Sequence, residues 1–175
     1  PTAVNHAIDH AQVSMLSLVP TMLSRVLDDR MDAPFPRHTR VILLGGAPTP
    51  PALLDRCRAI KAPVALTWGM TETASQIATR EPGDLRSTAD VGHPLPGITV
   101  TTEDGLLVVE GAIAPGGRWV TSDRGRLDEV GRVCVDGRGE ALIISGGENI
   151  DPVHIERTLL VHPAVDEAAV IGKPS

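Results

Sequence analysis

The sequence predicts an α/β chain, with parallel βαβ units first, a small β-rich stretch next and a strand–helix–strand run at the end. Three observations carry this. Up to Trp68, short apolar runs alternate with amphipathic stretches, the pattern of parallel strands joined by crossover helices. From Glu81 to Pro152 no helical stripe occurs, and short apolar runs are split by turn residues. Beyond Pro152 one amphipathic stretch precedes a final apolar run.

Residues 1–10 look like the interior of a longer fold, and Pro1 stands where Met would begin a chain. The 175 residues are therefore expected to be a piece of a larger protein. Residues 13–19 read as a buried strand. Pro20 suits the first turn of a helix, and Met22, Leu23, Val26 and Leu27 form its apolar stripe before Asp28-Asp29-Arg30 ends it. Pro34-Phe35-Pro36 is a loop. Residues 40–44 form a strand cut off by Gly45-Gly46. Pro48-Thr49-Pro50-Pro51 stiffens the next turn, and Leu53, Leu54, Cys57 and Ile60 mark a second helix. Residues 64–68 are the third strand. In open parallel sheets ligands sit at the carboxyl ends of strands, so Gly45-Gly46 and Gly69-Met70-Thr71 are expected at one crevice.

The composition changes near Glu81-Pro82-Gly83-Asp84. Residues 98–102 and 106–110 flank Glu103-Asp104-Gly105, a hairpin signal. Residues 126–128 and 133–135 flank Glu129-Val130-Gly131, another. Residues 141–145 are a strand turned by Gly146-Gly147. Asp151-Pro152 is a cap and helix start, with Ile155, Leu159 and Leu160 as the apolar face. Residues 165–171 read as a last strand. The expected division is 1–90, 91–137 and 138–175.

Composition narrows the function classes. Hydrophobic residues make up 42% and charged residues 22%, which are globular values. The net charge is −6 and no Lys/Arg cluster occurs, so the footprint of a nucleic-acid binder is missing. No apolar run approaches the roughly 20 residues that cross a bilayer, and no signal peptide is expected. Cys57 and Cys134 form no CxxC pair, the six histidines read as scattered with no ligand-spaced pair, and the cytosol is the expected compartment. Phe35, Trp68 and Trp119 are the only aromatic residues, which raises the interest of Trp68.

Trp68 stands in Thr67-Trp68-Gly69-Met70-Thr71-Glu72-Thr73. The indole offers a π-face, Gly69 permits close backbone approach, Thr71 can donate to a phosphate and Glu72 can hold Mg²⁺. A nucleotide with its metal needs these partners. The same residues also suit a strand end, a turn and a helix cap.

Five blocks in order resemble the acyl-adenylate-forming ligases. They are Leu43-Leu44-Gly45-Gly46-Ala47-Pro48, Thr67 through Thr73, Val91-Gly92-His93-Pro94-Leu95-Pro96-Gly97, Thr121-Ser122-Asp123-Arg124-Gly125, and Gly137-Arg138 followed by residues 142–150. Within the family the wording is most similar to the o-succinylbenzoate–CoA ligases of menaquinone biosynthesis. Fatty-acyl and aryl-acid CoA ligases are the neighbouring alternatives, and a non-catalytic adenine-nucleotide module is the alternative of another class. The resemblance implies the latter part of a large adenylation domain and the beginning of a small α+β C-terminal domain.

It also implies a two-step reaction using ATP, Mg²⁺ and CoA, in which a small-molecule carboxylate forms an acyl-adenylate and then a thioester. By resemblance Trp68 stacks on adenine, and Gly45, Gly46, Ala47 and Gly69 line the adenine cleft. Thr71 meets the α-phosphate, Glu72 holds Mg²⁺, Asp123 accepts the ribose hydroxyls, Arg138 reaches the ribose or phosphate, and Glu140 is the hinge. The family more often has Asp or Lys at that hinge position, with an acidic residue next where this chain has Ala141. Plain structural readings stand beside these: a turn for Asp123, a surface position for Arg138 and a strand-ending turn for Gly45-Gly46. The family's Ser/Thr/Gly-rich phosphate loop and C-terminal lysine have no counterpart among these residues. The isolated chain is accordingly expected to be inactive, and to self-associate or pair with the missing N-terminal part.

Overall fold

The computed structural model describes residues 1–86, 90–138, 143–145, 148–150, 152–162, 164–165 and 168–172. Helix α1 (Thr2–His10) leads into strand β1 (Met15–Leu18), helix α2 (Pro20–Asp29), strand β2 (Val41–Leu44), helix α3 (Pro51–Ala59) and strand β3 (Val64–Met70). Strands β1, β2 and β3 are parallel neighbours, as the alternating pattern predicts. Proline opens both crossover helices, where its missing N–H costs nothing. Leu23, Leu27, Leu53 and Cys57 turn inward from them onto Ile42, Leu44, Val64 and Leu66. This apolar burial holds the first layer together.

A one-turn 3₁₀ helix, Thr71–Thr73, returns the chain antiparallel as β4 (Ser75–Thr79), followed by β5 (His93–Pro94). The first sheet has the order β1-β2-β3-β4-β5. The second sheet is an antiparallel meander of β6 (Thr99–Glu103), β7 (Leu106–Glu110), β8 (Arg118–Leu127) and β9 (Val133–Arg138). Both predicted hairpins are present. Asp104 and Gly105 both take positive φ (50° and 78°), the geometry that lets a two-residue turn follow strand twist. The two sheets share a core: Trp68, Ile77 and Ala78 of the first pack with Val100, Leu107, Val109 and Val133 of the second. The β-rich part is thus fused to the βαβ part through common apolar burial.

Strands β10 (Ile143–Ser145) and β11 (Glu148–Ile150) form a separate antiparallel pair, and helix α4 (Pro152–Leu159) follows. Glu140 and Asp151 lie outside the described residues, so the hinge and the cap are expectations only.

The fold corrects several expectations. Residues 1–10 contain a helix that the sequence reading leaves unassigned. Residues 13–19 are not a buried strand: β1 has a neighbour on one side only, Met15 is 56% exposed, and Leu18 is its sole buried residue. Residues 165 and 168–172 are not strand. The Val170 N–H donates to the Glu156 carboxylate at 2.8 Å, so a side chain takes a donor that a ladder would need.

Candidate nucleotide site

Strand β3 carries the Trp68 block to its carboxyl end, and Thr73 locks the turn that follows. Its hydroxyl lies 3.2 Å from the Met70 carbonyl and 3.1 Å from that of Ser75. Ala74 adopts φ +60°, so the chain reverses in one turn and leaves Thr71 and Glu72 exposed at the tip. No hydrogen bond or ion pair engages the Glu72 carboxylate among the described residues.

Strand β8 supplies the opposing group. Side chains alternate along a strand, and Trp119, Thr121 and Asp123 share one face. The Thr121 hydroxyl donates to the Leu107 carbonyl (2.8 Å) and accepts the Asp123 N–H (3.1 Å), fixing the backbone at Asp123. The Trp68 indole N–H donates to Asp123 Oδ2 at 2.8 Å. Asp123 also faces Arg138, its cross-strand partner on β9, with Nε 3.6 Å from Oδ1. The Asp123 side chain is 15% exposed and that of Arg138 75%, so the carboxylate is held while the guanidinium is free to swing. An ion pair this exposed adds little stability.

A cavity of about 680 Å³ is lined by Met70, Glu72, Asp104, Trp119, Arg124 and Arg138, among others. Its size falls within the range of about 300–1,000 Å³ typical of small-molecule sites. Register shifts interrupt the ladders between Trp68 and Gly69 and between Arg124 and Gly125. Such bulges re-aim side chains, and both adjoin the Trp68–Asp123 contact.

The predicted residues divide into groups. Trp68, Asp123 and Arg138 are in direct succession, and Glu72 lines the same cavity as Arg138. Thr71 adjoins Glu72 at the hairpin tip. Gly45, Gly46 and Ala47 end β2 but do not line this cavity; a Cβ on Gly45 would meet the Thr67 carbonyl at 2.8 Å, so the close approach there is to β3.

Trp68 is 7% exposed and sits in the shared core, with its indole N–H holding Asp123 from behind. Gly69 is required by the protein's own backbone, since a Cβ there would lie 2.2 Å from the Ser75 carbonyl.

Sequence reasoning also missed three features. Arg124 lines the cavity, with its guanidinium near Gly105 and no hydrogen-bond partner among the described residues. Its place directly after Asp123 was the available signal. Arg80 and Asp90 form a buried two-bond ion pair at 3.1 and 3.0 Å, and Asp90 also accepts the Gly92 N–H. Nothing in their ten-residue separation announces that pairing. His6 and His10 stand four apart on α1, a spacing that shows only once the segment is read as helix.

Residues 1–139 match the family model described as AMP-binding enzyme. The chain belongs to that family. The 2-succinylbenzoate–CoA ligase of Geobacillus kaustophilus (strain HTA426) is 38% identical over 98% of this chain and 40% of its own length. That of Bacillus subtilis (strain 168) is also 38% identical, over 97% and 40%. The solved o-succinylbenzoate CoA synthetase of Bacillus subtilis, in complex with its acyl-adenylate intermediate, superposes with a TM-score of 0.87 at 36% identity, over 99% of this chain and 41% of that one. The amide bond synthetase Mcba of Marinactinospora thermotolerans, solved as a mutant, gives a TM-score of 0.85 at 25% identity, over 100% and 42%. This chain therefore spans about 40% of the length of the curated relatives it matches. Among the described residues no helix is long and apolar enough to cross a membrane.

Proposed function

We propose that this chain forms one wall of the ATP site in a carboxylate–CoA ligase whose acid is o-succinylbenzoate. The observation that carries the reading is the run from Trp68 through Asp123 to Arg138, whose last member lines the same cavity as Glu72. The 2-succinylbenzoate–CoA ligase relatives support the choice of acid and thiol.

In this reading Asp123 accepts hydrogen bonds from the ribose hydroxyls. A carboxylate has about four acceptor sites, and the Trp68 N–H takes one of them. The Thr121 and Trp68 bonds place it before the ligand arrives, so binding does not bear the cost of ordering it. Arg138, exposed and weakly paired, turns toward the ribose or phosphate. Thr71 donates to the α-phosphate. Arg124 adds a second guanidinium to neutralise charge that develops on phosphate oxygens. Gly46 and Ala47, exposed beyond β2, edge the adenine cleft with backbone alone.

Glu72 fits as a Mg²⁺ ligand: its carboxylate is exposed and unengaged, and no cluster of three acid, imidazole or thiol groups is present among the described residues. Mg²⁺ typically takes one or two carboxylates together with substrate phosphates, in preference to an all-protein cage. When bound, it neutralises phosphate charge. Glu140 serves as the hinge on which the small domain turns between the two half-reactions. A cytoplasmic location and self-association through exposed Met15 and Met22 belong to the same proposal. Size-exclusion chromatography with light scattering tests the association, and a monomer at all concentrations would oppose it.

The activity is tested by pyrophosphate release from the protein that carries these residues, with ATP and a panel of carboxylates. The proposal expects o-succinylbenzoate to lead the panel and Asp123→Ala to raise the KM for ATP. A fatty or simple aryl acid leading would replace the acid. Nucleotide binding without any pyrophosphate release would replace the reaction with a binding role.

A further inference from the structure

We propose that His6 and His10 on α1 form a two-imidazole chelate for a divalent transition-metal ion of the Zn²⁺ or Ni²⁺ class. Positions four apart on a helix lie one above the other on the same face, and two histidines at that spacing are an established way for a helix to hold zinc. The two rings here are 4.6 Å apart between centroids and tilted by 54°, so they are neighbours without being stacked face to face. An ion bound by both would sit about 2.0–2.1 Å from a nitrogen of each.

The rings are available. Both residues are exposed, and neither imidazole makes a hydrogen bond or ion pair among the described residues. His38 differs, because its Nε2 lies 2.7 Å from the Ile8 carbonyl. His6 and His10 also border a cavity of about 340 Å³ that leaves room for an ion with its waters.

The neighbouring acids are committed. Asp9 receives the Arg30 guanidinium at 3.0 Å, and Asp29 accepts from Thr2 and Asn5 at 2.8 Å each. Asp9 balances the charge of Arg30, and Asp29 faces the N-terminal amine as well as its Thr2 and Asn5 donors, so neither acid competes with the imidazoles for an ion. Water completes the coordination. An imidazole pair of this kind selects zinc, nickel or copper over Mg²⁺, which prefers oxygen ligands. The site is therefore chemically distinct from Glu72. An ion bridging residues 6 and 10 would brace α1 in its folded form, adding stability by mass action.

The test is a calorimetric titration of the untagged 175-residue chain with NiCl₂ and with ZnCl₂, alongside thermal melts. The expected result is one ion per chain and a higher Tm. His6→Gln and His10→Gln should each abolish saturable uptake, because a single imidazole is no chelate, and His162→Gln should leave it unchanged. Circular dichroism of the variants separates lost ligation from lost helix. Absence of saturable uptake, or uptake that survives both substitutions at full strength, would overturn the proposal. Because no nucleotide enters the assay, the result is independent of the ligase reading.

Discussion

The bond from the Trp68 indole to Asp123 makes a demand that can be worked through in numbers. Trp68→Phe keeps an aromatic ring in the shared core and removes the donor. A hydrogen bond to a charged group contributes about 1.5–3 kcal/mol. Trp68 and the Asp123 side chain are 7% and 15% exposed, so water has little access with which to replace the lost partner. The substitution also shrinks a ring among Ile77, Ala78 and Val100, which adds a packing loss to the measured total. A double-mutant cycle with Asp123→Ala separates the two, because the packing loss appears in both arms and cancels. The expected coupling is about 1.5–3 kcal/mol. For a chain of this length each kcal/mol lowers Tm by about 2–4 °C, so the bond alone corresponds to about 3–12 °C. Urea denaturation of the wild type, both single variants and the double variant provides the assay. A coupling below about 0.5 kcal/mol, the scatter expected for independent sites, would refute the claim that Trp68 holds Asp123.

Three further outcomes follow from the packing. Burial pushes the Cys57 thiol up to about 11 and also raises that of Cys134, so both should resist a maleimide near neutral pH and react only in urea; rapid labelling of the folded chain would contradict the burial. Asp90→Ala leaves the buried Arg80 guanidinium without its carboxylate and should cost about 3–5 kcal/mol in urea denaturation, and a loss below 1 kcal/mol would show the pair to be dispensable. The Asn5 and Thr2 side chains hold the Asp29 carboxyl below its usual value. The stability this brings is complete above the ordinary carboxylate pKa of about 3.9 and disappears as pH falls through the lowered value. Asn5→Ala should therefore flatten the acid limb of the stability profile, and an unchanged slope below about pH 4 would count against the assignment.

Much of the fold was legible because local signals agreed with the final packing. Prolines mark the starts of α2 and α3, apolar stripes mark their inner faces, and Asp104-Gly105 marks a hairpin. The site was legible as a set of positions. Trp68 drew notice because it adjoins Gly-Met-Thr-Glu, and what the sequence did not show is that its ring packs in a core shared with a sheet that begins about thirty residues later. At Gly45 and Gly69 the neighbouring strands also leave no room for a side chain, a requirement that only the register reveals. The 165–171 run is apolar enough for a strand, but apolarity does not supply a ladder partner, and Glu156 takes the Val170 N–H. Arg80 and Asp90 escaped notice because an ion pair across a loop carries no periodicity.

The most direct test of the nucleotide-site claim is a crystal structure of the protein that carries these residues, bound to a non-hydrolysable acyl-adenylate analogue. The account predicts ribose hydroxyls within hydrogen-bond distance of Asp123, the phosphate surrogate beside Thr71 and Arg138, and the Trp68 N–H still on Asp123. An analogue bound elsewhere, with the cavity between Glu72 and Arg138 filled only by water, would contradict it.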